Sequence, residues 1–328
     1  MAWMQRGRRL RGGFWVFLIG ALALNPVCVW GEKFAEWFPH PVYLTLKRGK
    51  AVFVAPAAAS WHAPSGTLYD ALTPDGKLLL ATSPFLGKLF FFETQSGALI
   101  ASIALGQGPK GISVAPNGRT AYVADETGAA IFVVDIEKKK AIARIPMPAK
   151  PHNSCFSRDG AEAYVTLQTG NAIAVINARQ HKVIDLIPTP GLAAPHNLAL
   201  APDGRHLFVR GAEGQVAKID LKARKVEKVV RIGEGHAGIA VSADGRRVFT
   251  ADTRSDSVWI LDAETLAVEH RIQVGASPHG VRVSSDGRWL YVAVTGADRL
   301  AVVDLEASQV IHQEPVSGAP FWIATIGG

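Results

Sequence analysis

Six Asp-Gly or Asn-Gly turns recur along the chain at a spacing that leaves few folds open. They fall at Asp75-Gly76, Asn117-Gly118, Asp159-Gly160, Asp203-Gly204, Asp244-Gly245 and Asp286-Gly287, with successive spacings of 42, 42, 44, 41 and 42 residues. A second ladder follows each turn by 17 or 18 residues: Glu93, Asp135, Asn177, Asp220, Asp262 and Asp304. Two ladders in one register, at a period near 40, identify stacked supersecondary units. Each marker has a physical role. Asp-Gly between apolar runs signals a hairpin, because glycine accepts positive φ without steric cost. The second marker closes apolar runs such as Ile131-Phe132-Val133-Val134. There a short acceptor side chain can bond its own backbone and start a turn.

The runs between the turns are rich in Val, Ile, Leu, Tyr and Ala. They are too short for helices and fit buried strands. Four short antiparallel strands per unit predict an all-β chain, a β-propeller, since one blade cannot bury both faces and neighbours around an axis do. Residues 32–65 lack the two markers but hold two strand candidates, Val42-Tyr43-Leu44-Thr45-Leu46 and Ala51-Val52-Phe53-Val54. At the far end Gly318-Ala319-Pro320-Phe321-Trp322-Ile323-Ala324-Thr325 resembles the first strand of another unit. The expectation is a seven-bladed β-propeller of four-stranded antiparallel blades, its last blade closed by N- and C-terminal strands. Six repeats with loose ends is the alternative. Closure from both ends removes the exposed sheet edge.

The segments Tyr122-Val123-Ala124-Asp125, Tyr164-Val165-Thr166-Leu167 and Tyr291-Val292-Ala293-Val294 share one repeat position. They resemble the Tyr-Val-Thr-Asn motif of the YVTN-type β-propeller repeats, with Leu80-Ala81, Phe208-Val209 and Phe249-Thr250 as degenerate copies. The resemblance covers about residues 66 to 318. It implies a propeller similar to those of the haem-d1 nitrite reductases and the quinoprotein amine dehydrogenase chains. Such a motif specifies a fold and leaves the activity open.

Residues 1–31 are of another kind. Arg6, Arg8, Arg9 and Arg11 precede an apolar run from Phe14 to Leu24, and Asn25-Pro26 ends it. This layout predicts a secretory signal peptide over 1–31 and a single propeller domain over 32–328, in the periplasm or secreted. An uncleaved anchor is the other reading of the same run. The chain's formal charge of +7 falls to +3 without the four leader arginines. That is too small a surplus to point to nucleic acid. Lys138-Lys139-Lys140 and the lysines of 222–228 fall after the second marker, where they suit solvated outer strands. Of two cysteines, Cys28 lies in the leader and Cys155 in a predicted inner strand, and there is no CxxCH. Covalent c-type haem is thereby excluded, and so is a disulfide within the mature chain.

Seven positions before the Asp-Gly turns stand Leu68, Lys110, His152, His196, Ala237 and His279, followed by Tyr69, Gly111, Asn153, Asn197, Gly238 and Gly280. Gly or Asn at the second column suggests positive φ where the chain joins the inner strand. The resemblance implies that this point lies at the mouth of the central channel, so His152, His196 and His279 look into one funnel. Three imidazoles there suit a transition metal or a haem-type group. His236 is one residue out of the column; it is a fourth metal-ligand candidate beside His152, His196 and His279, although a one-residue slip in a strand would turn it to another face. The bland alternative is that these histidines are polar filler at a wet channel mouth. Asp125, Glu126, Asp252 and Asp256 follow second strands and read as solvated loop carboxylates. Trp61 and His62 would cap the funnel. Trp322 and Phe321 read as packing residues. No G-x-S-x-G, P-loop or H-E-x-x-H occurs. Two functional readings follow. One is a monomeric, non-catalytic scaffold holding a small ligand or a protein partner at the channel mouth. The other is a metal- or haem-associated accessory protein that uses the channel-mouth histidines.

Overall fold

The structure is a computed structural model and describes residues 35–49 and 51–327. The predicted signal peptide lies outside the described residues. Seven four-stranded antiparallel sheets are arranged as the blades of a propeller. Blades 1 to 6 are continuous in sequence and span residues 70–104, 109–146, 151–188, 195–231, 239–273 and 278–315. Blade 7 takes its inner strand, Pro320–Ala324, from the C-terminal end and its other three, Val42–Leu46, Ala51–Ala55 and Ala59–His62, from the N-terminal side. Tyr43 pairs with Ala324 and Leu44 with Ile323. The predicted closure from both ends is therefore the one observed. No described helix is long and apolar enough to cross a membrane.

The two marker ladders act as the sequence suggests. In each first turn the glycine alone takes positive φ, from 67° to 73°. The preceding Asp or Asn is an acceptor: Asp75 Oδ1 receives Thr73 Oγ1–H (2.6 Å) and Lys77 N–H (3.1 Å). At the second ladder Asp135, Asn177, Asp220, Asp262 and Asp304 each accept a backbone N–H three residues on, at 2.7–3.0 Å. These bonds cap the third strand of each blade and start the outer one.

Second and third strands are buried on both faces, which is why they read as unbroken apolar runs. Seven hydrophobic clusters result, one between each pair of neighbouring blades. Between blades 3 and 4, for example, Ile173 and Val175 meet Leu207 and Val209, all four at 0 % exposure. Each such side chain contributes about 1.5–3 kcal/mol by leaving water. Outer strands alternate instead, as Lys140–Pro146 does, and carry the lysine runs in solvent.

The Gly/Asn column has a different cause from the one expected. Gly111, Gly238 and Gly280 do not have positive φ. At these glycines the inner strands of neighbouring blades approach too closely for a side chain, whereas Asn153 and Asn197 use theirs to hydrogen-bond across blades. A Cβ on Gly280 would stand 2.7 Å from the Phe321 carbonyl oxygen, and one on Gly111 would stand 2.4 Å from that of His152. Gly280→Ala is expected to cost about 1–3 kcal/mol by overpacking against backbone. Urea unfolding checks this, and an unchanged midpoint would show that the blades can separate freely.

Candidate functional site

The inner strands of blades 2, 3, 4 and 6 share a device at their first residues. Pairing with the second strand slips between Pro109 and Ile112, Pro151 and Ser154, Pro195 and Asn197, and Pro278 and Val281. A bulge of this kind re-aims the side chain it contains. Here it delivers Lys110, His152, His196 and His279 to one cavity. The cavity has a volume of about 360 Å³, and Lys47, Leu68, Tyr69, His236 and Phe321 complete most of its wall. Phe321 occupies in blade 7 the place that histidine holds in blades 3, 4 and 6.

The imidazoles form a continuous arc. Ring centroids of His152 and His196 are 3.7 Å apart, those of His196 and His236 4.4 Å, and those of His236 and His279 5.7 Å. His279 then stacks on Phe321 at 3.9 Å. His236 thus belongs to the group, contrary to the parity argument. Blade 5 explains why: its inner strand starts only at Ile239, so His236 lies in the preceding loop, where strand alternation does not apply. The arc is a chain of tilted and edge-on ring contacts more than a coordination shell. Among the described residues no three mouth histidines bring ligand atoms within 4.8 Å of one another. The set that does is His206, Asp220 and Glu227, on the flank of blade 4. Those carboxylates already pair with Arg205 (2.6 Å) and Lys218 (3.8 Å), which makes them an ion-pair network.

Each imidazole has its own partners. Tyr69, from blade 1, reaches past Gly111 of blade 2 to His152 of blade 3, with Oη 2.8 Å from Nε2. Glu126 lies 3.6 Å from His152 Nδ1 and forms an ion pair with Lys110. Burial works against the Glu126 charge, but His152 and Lys110 bring its carboxyl down to about 2. The ionised carboxylate favours Nδ1–H on His152, so Nε2 accepts the phenol proton of Tyr69. Burial, then the Glu126 charge, hold Tyr69 well above the ordinary tyrosine range, so it remains a phenol. Asn153 Nδ2 donates to Asn197 Oδ1 (2.9 Å), which fixes the Asn197 amide. Asn197 Nδ2 in turn donates to His196 Nδ1 (2.9 Å) and the Ala237 carbonyl (2.8 Å). Neutral His196 therefore carries its proton on Nε2. His279 is 4 % exposed, and neither ring nitrogen has a hydrogen-bond partner. Burial holds His152, His196 and His279 below the usual histidine range, His196 and His279 well below it, and neighbouring imidazoles add to the effect for those two. The arc is neutral at pH 7.

Other sequence candidates divide. Glu126 and Phe321 enter the site, and so does Tyr69, whose departure from the Gly/Asn column was its only sequence signal. Trp61 packs on Tyr43 and Phe92, away from the mouth (5.2 and 6.1 Å). Asp125 and Asp256 bind backbone N–H groups of Gly108 and Ser277. Asp252 is fully buried. It accepts backbone N–H bonds from Glu234 and Arg254 and a 3.0 Å bond from Arg210, itself at 0 % exposure. Arg210 also bonds the Gly214 and Gly235 carbonyls, and burial lowers its guanidinium to about 10. These bonds hold the loop that carries His236. Arg210→Ala is expected to cost about 3–5 kcal/mol, because it strands a buried charge. Thermal unfolding would show a fall of about 5–10 °C.

Comparison with known proteins agrees with this architecture. Residues 163–277 match the Cytochrome D1 heme domain family. A 70-residue stretch is 33% identical to Protein NirF of Pseudomonas aeruginosa, covering 21% of this chain and 18% of that protein. The chain thus matches under a fifth of that relative's length. Among solved structures, Kuenenia stuttgartiensis hydrazine synthase superposes with a TM-score of 0.74 at 20% identity, over 80% of this chain and 90% of that one. The dihydro-heme d1 dehydrogenase NirN, solved in complex with DHE, gives 0.66 at 16% identity, over 88% of this chain and 75% of that one. At such identities the structural likeness is one of fold. The chain is a seven-bladed β-propeller with a histidine-lined channel mouth, similar to the cytochrome d1 haem domain.

Proposed function

We propose that this protein is a periplasmic accessory protein that binds a haem-d1-like tetrapyrrole at the histidine mouth and holds it without transforming it. The observation that carries the reading is His279. A buried imidazole with two unpaired nitrogens is costly unless something completes it, and this one lines a cavity of ligand size. The residues present fit the group. His279 offers a lone pair for iron, Leu68 and Phe321 offer apolar surface, and the exposed Lys47 offers a cation for ring carboxylates. His196 presents Nε2–H as a donor. When bound, the group would supply a redox-active iron and a visible absorption band. The likeness to a haem d1 domain and to NirN with its DHE ligand supports the same ligand class. A metal held by His152, His196, His236 and His279 alone is the weaker reading, since their nitrogens do not converge. The predicted leader supports export.

The test is co-migration. The propeller, purified without a histidine tag, is incubated with ferric haem and passed over a sizing column. One equivalent travelling with the protein, with a shifted Soret band, is expected. Complete separation of pigment and protein would overturn the reading.

A further inference from the structure

Tyr69 and Trp322, with ring centroids 4.7 Å apart, stand at the inner-strand positions where the other blades carry Gly or Asn. On their far side the inner strands run down to the Asp-Gly turns, and a second cavity of about 450 Å³ lies there. Its wall combines small residues such as Ala199, Ala240 and Ala243 with the polar Ser242 and Ser284, and Arg158 stands at the turn of blade 3. The charged side chain from an inner strand is Arg282 of blade 6.

Arg282 is half-buried and poorly satisfied. A guanidinium has five N–H donors. Here Nη1 alone is bonded, to the carbonyl of the adjacent Val281 (3.0 Å), and the group lies 5.1 Å from the Trp322 ring centroid. The acid nearest in electrostatic terms is Asp70 of blade 1, which does not complete it. Asp70 is 2 % exposed and neither of its oxygens has a hydrogen-bond partner. Burial keeps the Asp70 carboxyl well above its ordinary range, with Arg282 only partly opposing. The same burial lowers Arg282, with Asp70 opposing. Asp70 forms neither a hydrogen bond nor an ion pair with Arg282, whose other donors have no partner in the protein.

A planar two-oxygen anion matches a guanidinium fork and would use the free donors. A cavity of this volume admits a small molecule. We propose that the turn-side cavity is a second binding site, for the carboxylate of a small organic acid gripped by Arg282, with Arg158 as a second cation at the opening. Its lining shares no residue with that of the histidine mouth.

The probes are formate, acetate and malonate, with inorganic phosphate for comparison, at ionic strength fixed with chloride. Calorimetric titration of the full chain is expected to show saturable binding of at least one carboxylate, tighter than phosphate. Arg282→Gln and Arg282→Lys should each weaken it about tenfold or more, because lysine keeps the charge and loses the fork. Arg158→Gln should weaken it less. Ferric haem should still co-migrate with the Arg282 variants, which reports that they fold and that the two sites are separate. Should Arg282→Gln fail to fold, Arg282→Lys carries the test. No saturable carboxylate binding, equal binding of phosphate, or unchanged binding in both Arg282 variants would each overturn the proposal.

Discussion

His279→Ala is expected to weaken binding of a ferric tetrapyrrole by on the order of a hundredfold, about 2.7 kcal/mol, whereas His196→Ala and His152→Ala weaken it far less. Hydrogen bonding separates the three rings. His152 is bonded at Nε2 by Tyr69, and its Nδ1, without a hydrogen-bond partner, stands 3.6 Å from the Glu126 carboxylate. His196 accepts at Nδ1 from Asn197, which leaves a proton and not a lone pair on Nε2. His279 alone of the three has two unpaired nitrogens, and Phe321 stacked at 3.9 Å restrains its ring. Even partners one step removed from a metal are commonly worth ten- to a hundredfold in affinity. Absorbance titration of the three variants in parallel checks the ranking. Equal losses for all three would show that the arc binds as an undifferentiated polar surface.

The ligand-free protein is expected to lose stability steeply as pH falls below about 6.5. Folding holds the imidazoles of His152, His196 and His279 below the ordinary histidine range, chiefly by burial. Above that range they are neutral folded or unfolded, and pH has no effect through them. Below it the unfolded chain takes up protons that the folded chain refuses. Each group that stays neutral removes about 1.4 kcal/mol per pH unit until its folded pKa is reached. His196 and His279, held well below that range, together approach about 3 kcal/mol per unit, and His152 adds to it, which is large against a typical total of about 5–15 kcal/mol. Denaturant unfolding at pH 7.5, 6.5 and 5.5 measures this. His279→Phe, which preserves the stack on Phe321, should flatten the profile by about one proton. A level profile in the parent protein would show that the imidazoles protonate freely within the fold.

Much of the architecture was legible because its signals are local. A turn such as Thr73-Pro74-Asp75-Gly76 closes through its own side chains, and Asp135 caps its strand through a bond three residues long. The closure of blade 7 could be read from what each end lacks. The site was legible only as a column. His152, His196 and His279 could be aligned by counting, but the bulges beside them decide where they point. His236 escaped the alternation rule because it lies off the strand. Tyr69 and Glu126 meet His152 through contacts 83 and 26 residues apart in the chain, which no local pattern encodes. The Gly/Asn column was visible, yet its causes are close approach between blades at the glycines and hydrogen bonds between blades at the asparagines, tertiary facts that imitate a conformational one.

The most direct measurement is a crystal structure of the propeller grown with a ferric tetrapyrrole. The account predicts the macrocycle at the histidine mouth against Phe321, with its iron at His279 and with His152 still bonded to Tyr69. A macrocycle on an outer face, in the turn-side cavity, or with its iron ligated by a residue outside the arc would contradict it.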